Sequence, residues 1–520
     1  MTAEYQKRRQ RASPLTAAFA TCYSYAHSLN GRHSDKSEPT VIKKRTIMSQ
    51  PAVAPSFLFH DYETAGLHPA FDRPVQFAAI RTDKDLNEIG EPLMWYCQLP
   101  NDYLPSPEAT LITGITPQTA QQQGLCEAEF IARIHEQFSQ PNTCILGYNN
   151  IRFDDEVTRY TLYRNFYDAY GYSWQHGNSR WDLLDVARTF YALRPEGINW
   201  PEDEDGKPSF KLEHLTQANG IVHANAHDAL ADVRATIALA KLLRTAQPKL
   251  FDYLYGLRNK HKVKALIDVI HATPLVHISG QFSAWQGCAT WVAPLAWHPE
   301  NANAVICVNL AMDLSPLLEL SPEQLQERLY TKRADLGDLL PVPVKLVHIN
   351  KCPSLAKAGA LTEQRADELA IDRVQCRQSL DLLRRHPEIR EKVVALYQLP
   401  HQFGPSTDVD GALYEGGFFG EADKAAMAMI HASTPEVLAT LPLQFNDPRL
   451  SELLFRYRAR NYPNTLSEQE WQLWRQHCQD KLSAQAEPYM HNLEQLVLAH
   501  QEDETKLILL QAVARYVQTL

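Results

Sequence analysis

The run Phe57-Leu58-Phe59-His60-Asp61-Tyr62-Glu63-Thr64 decides how this chain is read. Its first three residues carry the signal of a short buried strand, and a strand points successive side chains to opposite faces. Asp61 and Glu63 therefore project together, and Tyr62 projects away from them. Two carboxylates on one face beside a buried strand are costly unless something positive lies between them. A hard divalent cation with oxygen ligands is one solution. A solvated strand end is the other, and so short a motif does not separate the two.

Outward from this run, 77–81 and 94–98 read as two further strands, 127–138 carries apolar residues at helical spacing, 144–147 is another short strand, and 228–243 is a long helix rich in Ala and Leu. Strands followed by alternation with helices predict an α/β domain over residues 56–247. The segments 274–278, 290–292, 304–310 and 342–349 are short, strand-like and punctuated by Gly and Pro, which predicts a mostly β domain with helical insertions over 248–401. From 404 to 520 the pattern is helical, as in 423–431, 449–460, 468–482 and 502–520.

A chain of 520 residues, 44% hydrophobic and 22% charged, exceeds what one compact core serves, consistent with two or three domains. No stretch approaches the roughly 20 apolar residues of a membrane helix, so a soluble protein is expected. The nine cysteines are scattered singly without CxxC pairs, which suggests neither a disulfide framework nor a zinc site and fits a reducing cytoplasm. The net charge of −10 does not advertise a nucleic-acid partner, but it averages over domains and is silent about a local groove. Residues 1–55, with Lys7, Arg8, Arg9 and Arg11 and then Lys43, Lys44 and Arg45, lack the apolar core of a secretory signal and read as a disordered extension, with Met48 as an alternative start.

Two further motifs bear on chemistry. In Gly147-Tyr148-Asn149-Asn150-Ile151-Arg152-Phe153-Asp154-Asp155-Glu156 three acids open a helix, where they complement its dipole. Only one of three consecutive helical positions faces a given cleft, and Asp154 is the candidate. In Asn225-Ala226-His227-Asp228-Ala229-Leu230-Ala231-Asp232, Asp228 is a natural N-cap, leaving His227 on the preceding loop and Asp232 about one turn inside the helix.

The order D-x-E, then D, then H-x(4)-D resembles the DEDDh exonucleases, a family of ribonuclease H-like fold. That resemblance spans residues 57–243; a closer one, to a single bacterial branch within the family, extends through Leu111-Ile112-Thr113-Gly114, Asn178-Ser179-Arg180-Trp181-Asp182 and Pro195-Glu196-Gly197-Ile198-Asn199-Trp200-Pro201 and covers roughly residues 56–520. It implies an α/β RNase H-like exonuclease domain, then an SH3-like β domain with helical insertions, then an α-helical C-terminal domain, together forming a groove. It further implies processive 3′ to 5′ hydrolysis of single-stranded DNA to nucleoside 5′-monophosphates, with two Mg²⁺ ions, for which Mn²⁺ would substitute. Asp61, Glu63, Asp154 and Asp232 match the metal-binding positions, and His227 matches the general base, a role suited to a group that titrates near neutral pH. Two such ions about 3.5–4 Å apart clamp the attacking and leaving oxygens of an in-line displacement.

The resemblance also implies substrate contacts at Glu63, Arg159, Tyr170, Trp174 and Arg188, and at Lys211, where relatives often carry arginine. It implies a partner, the acidic C-terminal tail of single-stranded DNA-binding protein, held near Arg194, Tyr253 and Arg384, although Thr362 and Lys357 stand where other basic positions are expected. From the residues themselves, Arg258-Asn259-Lys260-His261-Lys262-Val263-Lys264 and Arg456-Tyr457-Arg458-Ala459-Arg460-Asn461-Tyr462 combine cations with rings as single-strand grooves do. Each is equally readable as a solvated helix face. Two rivals stay open: the same site acting on RNA, and a binding protein on an exonuclease fold. A monomer is expected, since one chain would close its own groove.

Overall fold

The computed structural model describes residues 54–223, 228–400, 404, 406 and 408–520, and the chain from Val53 to Leu520 is one compact unit. The first sheet contains β1 (Ser56–Thr64), β2 (Pro74–Thr82), β3 (Leu93–Tyr96), β4 (Thr143–Gly147) and β5 (Ser179–Asp182), in the order β3-β2-β1-β4-β5. β1 is central, antiparallel to β2 and parallel to β4. As a strand covered on both faces it needs apolar residues of both parities. Phe57 and Phe59 pack with Val233, Ile237 and Ala240 of the helix Ala229–Ala246 on one side. Leu58 and Tyr62 pack with Phe130, Ile134 and Phe138 of the helix Glu127–Phe138 on the other.

The same alternation carries Asp61 and Glu63 onto the Phe57 face, where the core gives way to the first turn of the Ala229–Ala246 helix. β4 pairs with β1 only as far as Phe59 opposite Leu146, so the last residues of β1 are open on that side to the helix Asp154–Arg164. The two strands approach closely there: a Cβ on Gly147 would stand 2.6 Å from the carbonyl oxygen of His60, which only glycine avoids.

The second sheet is antiparallel throughout, with β6 (Leu275–Ile278), β7 (Ala289–Trp297), β8 (Ala304–Asn309), β9 (Val344–His348) and β10 (Ser354–Lys357) in the order β10-β6-β7-β8-β9. The helices Ser315–Glu319 and Pro322–Tyr330 interrupt it between β8 and β9, and Arg373–Arg385 and Glu388–Gln398 follow it. The remainder is helical, chiefly Glu421–Ala432, Pro448–Asn461, Glu468–Ala499 and Glu504–Val517. Among the described residues, no helix is long and apolar enough to cross a membrane.

Buried ion pairs join the helical part to the first sheet. Arg460 donates to Asp102 at 2.7 and 3.1 Å and to Asp410 at 2.7 and 3.0 Å. Arg73, beside β2, reaches Asp410 at 2.7 Å. His477 and Lys481 of the long helix close on Asp102 at 3.3 and 3.1 Å. Asp102 is fully buried, and although burial opposes its charge, the Arg460, His477 and Lys481 partners hold its carboxyl well below the usual range.

Candidate active site

Strand alternation does what the D-x-E spacing predicts. Asp61 and Glu63, opposite Ala78 and Gln76 in the β1–β2 ladder, offer carboxylate oxygens that lie with one from Asp232 within 4.8 Å of one another. Asp232 reaches this point because its helix starts beside β2. Asp228 caps it by accepting from Ala231 N at 3.0 Å, and Ala229 N donates to Gln76 Oε1 at 3.3 Å. Asp154 arrives from the other side of β1: its Oδ1 accepts from Tyr62 N at 3.1 Å, and the residue is 4% exposed. The loop before it is pinned by Asp182, which accepts from Asn149 N, Ile151 N and Leu184 N at 3.0–3.2 Å.

Of the three consecutive acids only Asp154 turns to the cluster. Asp155 forms a buried pair with Arg180 and accepts from Asn150 at 3.3 Å. Glu156 pairs with Arg159 at 2.7 Å and accepts from the Tyr414 hydroxyl at 2.5 Å.

The cluster is strained electrostatically. Burial first, then repulsion from Asp154, Glu63, Asp232 and Asp228, pushes the Asp61 carboxyl well above its ordinary range. Glu63 is raised to about 8 by burial and then by Asp232, Asp154 and Asp228. Asp154 is raised to about 7, chiefly by burial, against the hydrogen bond from Tyr62 N. These four carboxylates are an all-oxygen donor set that suits a hard divalent ion. His227 lies outside the described residues. A different histidine, His223, which the sequence reading passed over, places Nε2 2.5 Å from Asp232 Oδ1.

Comparison with known proteins supplies the family. The profile described as "Exonuclease" matches residues 58–240, "Exonuclease I SH3-like domain" matches 258–399, and "Exonuclease I C-terminal domain" matches 407–520. Exodeoxyribonuclease I of Escherichia coli (strain K12) is 59% identical over 466 residues, covering 89% of this chain and 98% of that protein. The chain belongs to the exodeoxyribonuclease I family. The zinc-bound form of an E. coli exonuclease I–single-stranded DNA complex superposes with a TM-score of 0.87 at 59% identity, covering 90% of this chain and 99% of that one. A structure of SSB/exonuclease I with an inhibitor gives 0.85 at 57% identity, with 90% and 99% covered. The architecture is thus an exonuclease domain, an SH3-like domain and a helical C-terminal domain, as the motifs imply.

Within that family frame the expected substrate residues fall into two groups. Arg159 and Tyr170 meet beside the active-site helix, the Arg159 guanidinium lying 5.5 Å from the Tyr170 ring centre. Tyr414 and Phe418 of the C-terminal domain complete this rack, with rings 6.5 and 5.6 Å from Tyr170. Phe418 is 87% exposed and Trp174 is 64% exposed. The sequence signal for the two missed rings is an aromatic run in a Gly-rich turn, Tyr414-Glu415-Gly416-Gly417-Phe418-Phe419. Arg188 and Lys211 lie elsewhere. Arg188 donates to Asp185 at 2.8 Å, with its guanidinium 5.9 Å from the Phe210 ring centre, and Lys211 is exposed at the start of the helix Leu212–Ala218.

One reading is overturned. The Arg456–Tyr462 stretch is no groove wall. Arg456 pairs with Asp408, Asp410 and Glu452, Arg458 with Glu470, and Arg460 with Asp102 and Asp410. Its cations were free to be buried because acids far away in sequence came to meet them. In the other basic run Arg258 is likewise engaged, 3.5 Å from the Tyr255 ring centre and donating to Ser179 Oγ at 3.0 Å, whereas Lys260, Lys262 and Lys264 are exposed.

The residues expected around the partner tail are brought together in part. Arg194 donates to Ala360 O at 3.1 Å and Tyr253 donates to Leu355 O at 2.8 Å, so both border the segment from β10 onward. Arg384 lies on the helix Arg373–Arg385, half exposed and 3.6 Å from Asp381.

Proposed function

We propose that this chain is a 3′ to 5′ exonuclease that degrades single-stranded DNA processively to nucleoside 5′-monophosphates, acting as a cytoplasmic monomer in DNA repair and recombination. The observation that carries the reading is the convergence of Asp61, Glu63 and Asp232 within 4.8 Å, with Asp154 hydrogen-bonded to the same strand. Asp61, which feels the repulsion of all the other acids, would hold the Mg²⁺ ions together with Glu63, Asp154 and Asp232. Ions bound there supply Lewis-acid stabilisation of the charge that develops on the phosphate oxygens and lower the pKa of bound water.

The remaining work belongs to the side chains. Glu63, at the end of β1, also orients the terminal nucleotide. His227 takes the proton of the attacking water, a task for a base of near-neutral pKa. Tyr170, Trp174, Tyr414 and Phe418 stack on unpaired bases, while Arg159, Arg188 and Lys211 meet phosphates; rings of this kind serve every base and select for a strand without a partner. The rim of Arg194, Tyr253 and Arg384 takes the acidic tail of single-stranded DNA-binding protein, a reading supported by the SSB-bound relative.

An end-labelled digest tests the proposal. With Mg²⁺, a single strand should yield mononucleotides from its 3′ end, while duplex DNA and a matched RNA strand should persist, and a chelator should stop the reaction. DNA binding without metal-dependent release of mononucleotides would overturn it.

A further inference from the structure

Asp232 is held by a second histidine, whose position the H-x(4)-D motif does not pick out. The side chain of His223 is 7% exposed. Its Nε2 lies 2.5 Å from Asp232 Oδ1, and its Nδ1 lies 3.2 Å from Thr216 Oγ1. Thr216 is itself fully buried, and its hydroxyl donates to Glu213 O at 2.9 Å. The imidazole is thus fixed at both nitrogens, by a helix at one end and the carboxylate at the other.

The local fold explains how it gets there. The helix Leu212–Ala218 ends in a reversal at Gly220, whose φ of +65° lies in the left-handed region. Ile221 N returns to Thr216 O at 2.9 Å, and the chain doubles back alongside its own helix. His223 therefore meets the first turn of the next helix, where Asp232 N bonds to Asp228 O at 3.0 Å.

We propose that His223 is a positioning residue: by engaging Oδ1 of Asp232 it fixes the rotation of that carboxylate so that Oδ2 is presented to the ion shared with Asp61 and Glu63. The inference rests on the metal-binding reading above. The physical need is clear from the cluster. Asp232 repels the neighbouring acids, and an untethered carboxylate would turn away until a cation arrived, so the ordering cost would fall on metal binding. Hydrogen-bonded partners of metal ligands typically change affinity by 10–100-fold. His223 and His227 then have separable duties, the first toward the metal and the second toward the proton.

The test is calorimetric titration of Mn²⁺ into the chelator-stripped full chain, comparing wild type with His223→Ala, His223→Gln and Asp232→Ala, each checked for an intact thermal transition. We expect His223→Ala to weaken Mn²⁺ by about 10–100-fold, and His223→Gln, whose amide nitrogen reaches a similar point, to recover most of the loss. Saturating Mn²⁺ should restore turnover in His223→Ala but not in His227→Ala. Wild-type or tighter Mn²⁺ binding in His223→Ala, or a turnover defect that saturating metal leaves in place, overturns the positioning role. Asp232→Ala separates the two readings. If it binds Mn²⁺ as wild type does, the metal-site reading itself fails, whereas a loss there with none in His223→Ala removes only this inference.

Discussion

Removing one charge from the acidic cluster should stabilise the metal-free protein, and Glu63→Gln measures how much. In the folded chain burial, and then repulsion from Asp232, Asp154 and Asp228, push the Glu63 carboxyl up from its ordinary 4.5 to about 8. The sign follows from linkage: below pH 4.5 the group is protonated whether folded or not, and folding costs nothing there. Between 4.5 and about 8 the folded state retains a proton that the unfolded state has lost, so stability falls as pH rises through that window and levels off above it. At ~1.4 kcal/mol per pKa unit the full window is worth on the order of 5 kcal/mol. Glutamine keeps the shape without the charge. Chemical unfolding in EDTA from pH 5 to 9, followed by circular dichroism, should therefore show wild type losing stability relative to Glu63→Gln, with a gap of a few kcal/mol at pH 8.5. Excess Mn²⁺ should close or reverse the gap. Parallel stability profiles in EDTA, or a variant less stable than wild type at pH 8.5, would refute the reasoning.

Other expectations follow from the same structure. His227→Ala should lower the single-turnover rate by about 10²–10⁴ while leaving single-strand affinity in a filter assay largely intact. Arg460→Met removes the cation that Asp102 and Asp410 share, leaving Asp102 with His477 and Lys481 and Asp410 with Arg73 and Arg456, and should cost about 3 kcal/mol in urea unfolding; a loss under 1 kcal/mol would mean the network is not holding the helical domain. Phe418→Ala should weaken oligonucleotide binding by about 1–3 kcal/mol, measured by fluorescence anisotropy, if the exposed ring stacks on a base. Arg384→Glu should weaken an acidic tail peptide in the same assay and leave digestion of naked single strands unchanged.

The part of this architecture that was legible in sequence is the part governed by local periodicity. The alternation of Phe57, Phe59, Asp61 and Glu63 defines one face of β1 by itself, and it is this face that meets Asp232. The N-cap at Asp228 and the helix Glu127–Phe138 were read to within a residue, because capping and 3.6-residue spacing are short-range. β5 and β10 were missed, each only four residues long and recognisable as a strand chiefly by its neighbours. The long helix was expected to stop at 482 and instead continues through Pro488 to Ala499, since its second half buries little besides Leu493 and so carries no apolar stripe.

Within the site, what sequence could not show was pairing at a distance. Arg456, Arg458 and Arg460 look like a basic stripe until Asp408, Asp410, Asp102 and Glu470 are placed around them. His223 looks like an ordinary loop histidine until the Gly220 reversal brings it to Asp232. The choice of Asp154 over Asp155 and Glu156 succeeded because helical geometry limits which of three neighbours faces a cleft. The pairing of Glu156 with Arg159 is an i,i+3 contact on the same helix, but nothing local could have said that Arg180 would claim Asp155.

The central claim is that these carboxylates hold divalent ions at the end of β1, and anomalous diffraction from Mn²⁺-soaked crystals tests it most directly. The account predicts anomalous peaks within ligand distance of Asp61, with Glu63, Asp154 and Asp232 supplying the other protein oxygens. Peaks confined to other acidic residues, with the Asp61 cluster lacking bound metal at saturating Mn²⁺, would contradict it.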